Sequence, residues 1–228
     1  MNHNSRRSTG NTMTNDKFCD LIKKFAPEFI KMIDDTKNDG RERGIKFCST
    51  NGDITLSDTC TGDECSIPTH TENLLKCKDK KSIIGMVHTH PGFGERHGNL
   101  SEDDIMRAVG TEKRYMCIGY RGWNKTIRCY ESPFGVPQEE TDKFRNTDIT
   151  LREKKLRNEK QKYGVNIFGN TFIPKTDTSN EQWKKIKEEV NSLTEIKNNF
   201  KKYISTPEAE KERSKNSCSI ILAPLENP

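Results

Sequence analysis

The sequence predicts a mixed α/β (α+β) protein in which helices flank a mixed β-sheet, followed by a helical C-terminal extension. Two helical patterns of apolar residues, one near each end, enclose several short apolar runs that are separated by turn sequences. Hydrophobic residues make up 30% and charged residues 32% of the chain, which is enough apolar material for a core of about 130 residues. We therefore expect a disordered N-terminus (1–14), one compact domain (15–135), a charged helical extension (136–204) and a flexible tail (205–228).

The first helix is predicted from apolar residues that recur at helical spacing. They are Phe18, Leu21, Ile22, Phe25, Phe29 and Ile33. Asn15 or Asp16 is a suitable N-cap, and the NDG sequence at 38–40 supplies an end. Pro27 lies inside this pattern, so we expect a kink or a break into two helices there.

Five short apolar runs predict β-strands. They are GIKFCST (44–50), DITLSD (53–58), KSIIGMV (81–87), RYMCIGY (114–120) and TIRCYES (126–132). The third run has the uniform apolar character of a strand buried on both faces, and it ends at His88 and His90. The segment from Ser101 to Val109 predicts a helix between the third and fourth strands.

A second long helix is predicted within residues 181–204. Its apolar residues follow a three-four spacing: Trp183, Ile186, Val190, Leu193, Phe200 and Ile204. Ser179 and Gln182 form a plausible capping box at its start. The apolar stripe either packs back onto the core or forms the seam of a dimer or partner complex. Within the tail, SIILAP (219–224) is apolar enough to be a docking peptide.

Charge and composition exclude several classes of partner. The net charge of +5 arises from interspersed Lys and Glu, so no nucleic-acid partner is indicated. No apolar run reaches the roughly 20 residues of a membrane span, and the N-terminus lacks the apolar core of a signal peptide. We therefore expect a cytoplasmic protein with no membrane partner.

The eight cysteines are scattered without a CxxC pair, so we expect reduced thiols. Cys117 and Cys129 lie in strand-like runs, where a cysteine behaves as a small hydrophobic residue. Cys60 and Cys65 are the only close pair, and a loop disulfide or a metal site there is the alternative.

The chemistry-bearing residues cluster between His88 and Asp104. Side chains two apart on a strand point the same way, so His88 and His90 are placed to share one metal ion. The spacing of Ser101 and Asp104 has a purely structural explanation as a helix capping box. It also places both side chains on one face of the first helical turn, where Asp104 is a candidate third ligand. Two histidines and one aspartate would leave a fourth position for water, as in a catalytic zinc site.

The water that such a metal activates needs a base to take its proton, and a nearby glutamate would serve. The candidates are Glu42, Glu28 and Glu64. Glu42 stands directly before the first strand, which would carry it into the sheet beside the histidines. Glu28 lies in the predicted first helix and Glu64 in a loop, so a solvated surface carboxylate is the stronger interpretation of both.

These residues resemble the JAMM family of zinc metalloproteases, also called the MPN family. The resemblance consists of Glu42, HTHP (88–91) and SEDD (101–104), which match a glutamate followed by HxHP and SxxD. It covers roughly residues 16–133, and the order of helices and strands also agrees. One departure is the length between His90 and Ser101, which is ten residues instead of the usual seven. The extra length includes His97, which is a surface residue, an additional ligand or a substrate contact.

The resemblance implies an MPN-like (cytidine-deaminase-like) fold with Zn²⁺ held by His88, His90 and Asp104. It also implies that Glu42 is the general acid/base and that Ser101 stabilises the oxyanion. Members of this family cleave peptide or isopeptide bonds, typically at the C-terminus of a ubiquitin-like protein, and this chain is closest in kind to prokaryotic or viral types. Two alternatives stay open: a non-catalytic MPN-type scaffold that binds a partner, and a phage-type cell-wall peptidase.

Overall fold

The structure is a computed structural model that describes residues 14–50, 53–62, 77, 83–168 and 171–224. The helices are α1 (Asn15–Ile22), α2 (Ala26–Asp39), α3 (Glu102–Gly110), α4 (Gln138–Arg145), α5 (Ile149–Tyr163), α6 (Asn180–Ile204) and α7 (Pro207–Lys215). The strands are β1 (Arg43–Thr50), β2 (Asp53–Leu56), β3 (Cys60–Thr61), β4 (Ile83–Phe93), β5 (Tyr115–Arg121), β6 (Asn124–Glu131), β7 (Gly164–Phe168), β8 (Thr171–Pro174) and β9 (Ser217–Pro224).

The main sheet has the order β2-β1-β4-β5-β6-β9, and the short β3 pairs with β1. The pairing of β4 with β5 is parallel, whereas the other pairs in this sheet are antiparallel. The chain crosses from β4 to β5 through α3, which is the kind of connection that a parallel pair requires. The predicted mixed sheet with flanking helices is confirmed.

Helices cover both faces of the sheet, and successive strand residues alternate between them. On one face, Val87 and Cys117 pack against the buried residues of α1 and α2, such as Phe18 and Phe29. On the other face, Met86 and Met116 pack with the apolar residues of α3, α4, α5 and α6. Because His88 is two residues after Met86, its side chain points to the α3 face.

The N-terminal helical pattern breaks as Pro27 predicts. A single 3₁₀ turn (Lys23–Phe25) separates α1 from α2, and Pro27 lies in the first turn of α2, where its missing N–H is not needed. Gly40 ends α2 in the left-handed conformation at φ 73°. The predicted N-cap, Asn15 or Asp16, was wrong, because the side chain of Thr14 accepts the hydrogen bond from the amide of Lys17.

The apolar stripe of α6 packs back onto the core. Ile186, Leu193, Phe200 and Ile204 are buried in the same cluster as the α3 residues. A dimer or partner seam through this stripe is therefore wrong, since the stripe is already covered. The capping box of Ser179 and Gln182 is confirmed. The extension is less purely helical than expected, because β7 and β8 form a separate antiparallel hairpin between α5 and α6.

The expectation of a flexible tail was wrong for residues 205–224. Thr206 caps α7 through its side chain, and β9 then pairs along the length of β6. The driving force is burial, since Ile220 joins the apolar cluster beneath α1 and α2. The SIILAP segment thus docks within its own chain, and the compact domain does not end at residue 135.

The expectation of reduced thiols was also wrong. Three disulfides join Cys19 to Cys218, Cys48 to Cys77 and Cys117 to Cys129. Cysteines far apart in the sequence, or opposite each other on β5 and β6, are brought together only by the folded sheet. Cys65 lies outside the described residues, and its predicted pairing with Cys60 therefore lies outside them too. Reduced thiols were one reason to expect a cytoplasmic location. The disulfides remove that reason, because disulfides persist mainly in oxidising compartments.

The Cys19–Cys218 disulfide closes a loop of 199 residues between α1 and β9. We expect Cys218→Ser to lower the free energy of unfolding by about 2–5 kcal/mol, because the unfolded chain regains the entropy of an open loop. Urea unfolding measures this change. The Cys19→Ser and Cys19→Ser/Cys218→Ser proteins should match the single Cys218→Ser variant, since all three lack the same bond. Equal stability of wild type and variants would contradict the pairing.

No helix in the described part of the chain combines the length and the apolar character that crossing a membrane requires.

Candidate metal centre

The predicted site residues meet where the C-terminal half of β4 faces the first turn of α3. His88 and His90 lie two apart on β4 and point to the α3 side, and Asp104 lies in the first turn of α3. His88 and Asp104 are buried, while His90 is partly exposed. The structure therefore brings all three predicted ligands together at one edge of the sheet.

The three side chains form a compact triangle of donor atoms. Nε2 of His88 lies 3.1 Å from Nε2 of His90 and 3.2 Å from Oδ1 of Asp104. Nε2 of His90 lies 3.8 Å from Oδ2 of Asp104. One ligand atom from each residue lies within 4.8 Å of the other two.

This triangle has the size that a tetrahedral zinc site requires. Ligand atoms about 2.0–2.1 Å from a common centre at the tetrahedral angle are about 3.3 Å apart. The separations of 3.1 Å between the two imidazole nitrogens and 3.2 Å from His88 to Oδ1 of Asp104 are close to that value, and the 3.8 Å separation from His90 is to the other carboxylate oxygen, Oδ2. Two imidazole nitrogens and one carboxylate oxygen are also donors that zinc accepts. The residues present fit the metal that the sequence predicts.

The ring orientation of His90 is set by a backbone carbonyl. Nδ1 of His90 lies 2.7 Å from the carbonyl oxygen of His97, so this nitrogen carries the proton and donates it. Nε2 is consequently left with its lone pair, which points toward His88 and Asp104. A hydrogen bond from the ring nitrogen that does not bind the metal orients a metal-binding histidine and makes it a stronger ligand. His97 therefore supports the site through its backbone carbonyl and is not an additional metal ligand.

Burial and neighbouring charges shift the pKa values of all three groups. Burial lowers the pKa of His88, but the adjacent Asp104 carboxylate and the charge of Glu42 outweigh it and raise the pKa overall. Burial and the charge of His88 lower the pKa of His90 to about 4. Burial raises the pKa of Asp104, but His88 and the hydrogen bond from Ser101 hold it well below its ordinary value. Asp104 is therefore ionised and His90 neutral at neutral pH, as metal ligands must be.

Ser101 and Asp104 form the capping box that their spacing predicts. The amide of Asp104 donates to Oγ of Ser101 at 3.1 Å, and the amide of Ser101 donates to Oδ2 of Asp104 at 2.9 Å. The Ser101 hydroxyl donates to the same Oδ2 at 2.7 Å. The structural and the functional interpretations of SEDD are thus compatible, because the capping contacts aim Asp104 at the histidines and hold the exposed Ser101 beside them.

Glu42 is buried one residue before β1, with 6% of its surface exposed. The β1–β4 register pairs Gly44 with His88, and the amide of Arg43 donates to the Thr89 hydroxyl at 2.8 Å. Continuing this antiparallel register by two residues from Gly44 places the backbone of Glu42 opposite His90. The charge of its carboxylate contributes to the raised pKa of His88. Of the other candidates, Glu28 is exposed on α2 and Glu64 lies outside the described residues.

The segment between His90 and Ser101 is a structured element. β4 continues to Phe93, and a 3₁₀ turn (Glu95–Gly98) follows. Tyr130 donates from its hydroxyl to the carbonyl of Gly98 at 2.9 Å, and Tyr120 donates to the carboxylate of Glu95 at 2.8 Å. These contacts hold the turn that presents the His97 carbonyl to His90. Sequence reasoning missed them, because no local pattern connects residues of β5 and β6 to this loop.

We expect Gly98→Ala to weaken zinc binding about 10- to 100-fold, the usual effect of losing a partner that orients a ligand. An added Cβ at Gly98 would overlap the buried ring of Tyr120, so the turn would have to move away and carry the His97 carbonyl with it. Competition with a chromogenic zinc chelator measures the affinity.

The matched control is His97→Ala, which removes the imidazole and keeps the carbonyl that His90 uses. Its zinc affinity should equal that of wild type. A large loss in His97→Ala together with no change in Gly98→Ala would show that the side chain, not the backbone, supports the site.

No protein-family model, curated protein or solved structure matches this chain. The functional conclusion therefore depends on the chemistry of the metal centre alone.

Proposed function

We propose that the protein is a zinc-dependent peptidase or isopeptidase of the JAMM type, with an MPN-like arrangement of its sheet and helices. The observation that carries the proposal is the triangle of His88, His90 and Asp104 with a buried glutamate beside it. Structural zinc sites use four protein ligands, whereas three ligands and an adjacent carboxylate are typical of hydrolytic centres.

His88, His90 and Asp104 would hold the metal through Nε2, Nε2 and a carboxylate oxygen. When bound, zinc supplies Lewis-acid chemistry, polarising a carbonyl group and lowering the pKa of water. The protein's own part is to aim these donors correctly. The His97 carbonyl does this for His90, and the capping contacts from Ser101 do it for Asp104.

Glu42 is the proposed general base and general acid. Its carboxylate would take a proton from the attacking water and later deliver that proton to the nitrogen of the leaving amine. Glu42 lies directly before β1, and the pairing of β1 with β4 holds its backbone near the metal centre.

Ser101 is the proposed hydrogen-bond donor to the substrate carbonyl oxygen as that oxygen gains negative charge. Its hydroxyl has one hydrogen, which the Asp104 carboxylate accepts in the described arrangement. To serve the substrate, the hydroxyl must turn this hydrogen toward the substrate oxygen. The hydrogen bond that Oγ accepts from the amide of Asp104 holds the oxygen in place during this rotation.

We expect Ser101→Ala to lower kcat about 10²- to 10³-fold while zinc stays bound, because one oxyanion donor is lost. The variant also loses an N-cap, so a control with the same structural loss is needed. Ser179→Ala provides it, since Ser179 caps α6 with Gln182 in the same way and lies on a different helix. Equal rates for wild type and Ser101→Ala would remove Ser101 from catalysis.

The proposal is tested by elemental analysis of the purified protein followed by a screen for hydrolysis of peptides and of ubiquitin-like conjugates. About one zinc ion per chain and zinc-dependent cleavage are expected. Iron in place of zinc would contradict the choice of metal, because two histidines and one carboxylate are also a ligand set for non-haem iron. Zinc without cleavage of any substrate would favour the non-catalytic scaffold. The three disulfides favour an oxidising compartment as the place of action.

A further inference from the structure

We propose that the β7–β8 hairpin binds an extended acidic segment of a partner protein, which adds to the hairpin as a third strand. The inference goes beyond the proposed peptidase function and uses no property of the metal centre. The hairpin lies in the C-terminal extension, outside the residues that resemble the JAMM family. An exposed apolar pair, open strand edges and a local excess of positive charge support the proposal.

Two aliphatic side chains are exposed together on one face of the hairpin. Val165 is 47% exposed and Ile173 is 45% exposed, and the two residues lie directly opposite each other on the antiparallel strands. Directly opposed residues of an antiparallel pair point to the same face, with Cβ atoms about 4.5–5.5 Å apart. The pair therefore forms one continuous apolar surface that a ligand side chain can cover.

The edges of the hairpin are open to a further strand. β7 and β8 form a sheet of their own, and neither pairs with another strand among the described residues. A two-stranded sheet is only marginally stable in water, and a third strand stabilises it. The sequences of the two strands, GVNIF (164–168) and TFIP (171–174), contain none of the charged residues that commonly protect an edge from pairing. An open edge presents backbone N–H and C=O groups to an extended peptide.

Three lysines at the base of the hairpin form no ion pair with a carboxylate of the described residues. The ammonium groups of Lys160 and Lys162 lie over the rings of Phe172 and Tyr163. Lys175 donates to backbone carbonyls at the end of α5. An acidic ligand would supply these lysines with carboxylates, and hydrogen bonds between charged groups are the stronger kind.

The positive charge of the protein is concentrated around the hairpin. Residues 154–175 contain six lysine or arginine residues and one glutamate, which gives a net charge of +5. The entire chain also has a net charge of +5, so the remaining residues are neutral in sum. An added strand would alternate its side chains between the face of Val165 and Ile173 and the face of Phe172 and Lys160. The segment that fits both faces alternates apolar and acidic residues.

Other kinds of partner fit these features less well. A membrane or a nucleic acid would use the positive charge but would leave the strand edges without backbone partners. Single-stranded nucleic acids also stack on exposed aromatic rings, whereas the exposed pair of the hairpin is aliphatic. A second copy of the chain would bring two segments of charge +5 together, and like charges across an interface are unfavourable.

The test is fluorescence anisotropy of labelled peptides titrated with the full chain at about 0.15 M salt. The acidic probe is fluoresceinyl-Gly-Glu-Val-Glu-Val-Glu-Val-amide. A second peptide has Lys in place of each Glu, and a third is the acidic peptide with N-methylated Glu and Val amides, which cannot donate to a strand edge. Mass spectrometry confirms that the peptides stay intact. We expect the acidic peptide to bind at least about 10-fold more tightly than either of the others.

Substitution of the apolar pair tests the exposed face. Val165→Ser/Ile173→Ser should weaken binding of the acidic peptide about 10-fold, because the apolar contact is lost. Leu151→Ser is the matched control, since Leu151 is 51% exposed on α5 and lies outside the hairpin. Its affinity for the peptide should equal that of wild type.

Substitution of the lysines tests the charge without changing the hairpin strands. Lys160→Gln/Lys162→Gln should weaken binding about 10-fold and reduce its dependence on salt. The control Lys23→Gln/Lys31→Gln removes two exposed lysines of the N-terminal helices and should bind like wild type. Equal losses in both double variants would show a general charge effect and contradict a site at the hairpin.

Equal binding of the acidic and N-methylated peptides would overturn strand addition, and so would the absence of an anisotropy change below about 1 mM protein. Tighter binding of a thymidine dodecamer or of phosphatidylserine vesicles, lost in Lys160→Gln/Lys162→Gln, would overturn the inference in favour of a nucleic acid or a membrane. Dimerisation in sedimentation experiments that Val165→Ser/Ile173→Ser abolishes would overturn it in favour of a second copy of the chain.

Discussion

His88→Ala is expected to leave the purified protein with less than about one tenth of the zinc of wild type. Three protein ligands meet at this site among the described residues, and His88 lies closest to both others, at 3.1 Å from His90 and 3.2 Å from Asp104. Two remaining ligands leave the metal with too few strong bonds to compete with water and buffer. Zinc per chain by elemental analysis, after incubation with excess zinc and desalting, measures the loss.

Substitution of Asp104 tests the same set of metal ligands. Asp104→Ala should also lose the metal, but it removes the carboxylate that accepts from Ser101 and thus weakens the start of α3. Asp104→Asn keeps an acceptor for those hydrogen bonds and removes the charge, so it should lose most zinc with less effect on folding. Circular dichroism confirms that each variant is folded. Full zinc in a folded His88→Ala or Asp104→Asn protein would refute the assigned ligands.

Glu42→Gln is expected to lower kcat by about 10²- to 10⁴-fold while zinc content stays near that of wild type. Glutamine has nearly the same size and can occupy the buried position, but it cannot take the proton from water. The measurement is the rate of zinc-dependent cleavage of whichever peptide or conjugate the screen identifies, together with zinc per chain.

Glu28→Gln is the matched control for this prediction. Glu28 is exposed on α2, away from the metal centre, so the same substitution there should leave both rate and zinc unchanged. Wild-type activity in Glu42→Gln would mean that another group takes the proton. Zinc loss in that variant would mean that Glu42 supports the ligands and would leave its role in proton transfer unproven.

Local sequence patterns predicted most of the secondary structure. The strand runs that begin at Gly44, Asp53 and Lys81 correspond to β1, β2 and β4, and the capping boxes at Ser101 and Ser179 begin α3 and α6. These predictions succeed because strand alternation, helical spacing and capping are interactions within a few residues. The β7–β8 hairpin was missed, since its short apolar segment carries no decisive period.

The tail and the cysteines show where such patterns stop being informative. β9 is a strand because β6 offers it a partner, and Cys218 forms a disulfide because that pairing places it against Cys19, 199 residues away. The apolar composition of SIILAP permits docking but does not name the docking partner. Contacts between distant segments depend on the whole sheet, so neither feature follows from the local sequence.

The sequence alone determined the types and spacing of the site residues: His88 and His90 on one strand face, and Asp104 one helical turn after its cap. Only the tertiary structure decided that these donors lie within 4.8 Å of one another. It also decided that the His97 carbonyl orients His90. The physical reason is that side-chain direction follows from local backbone geometry, whereas the distance between two elements follows from the packing of the entire core.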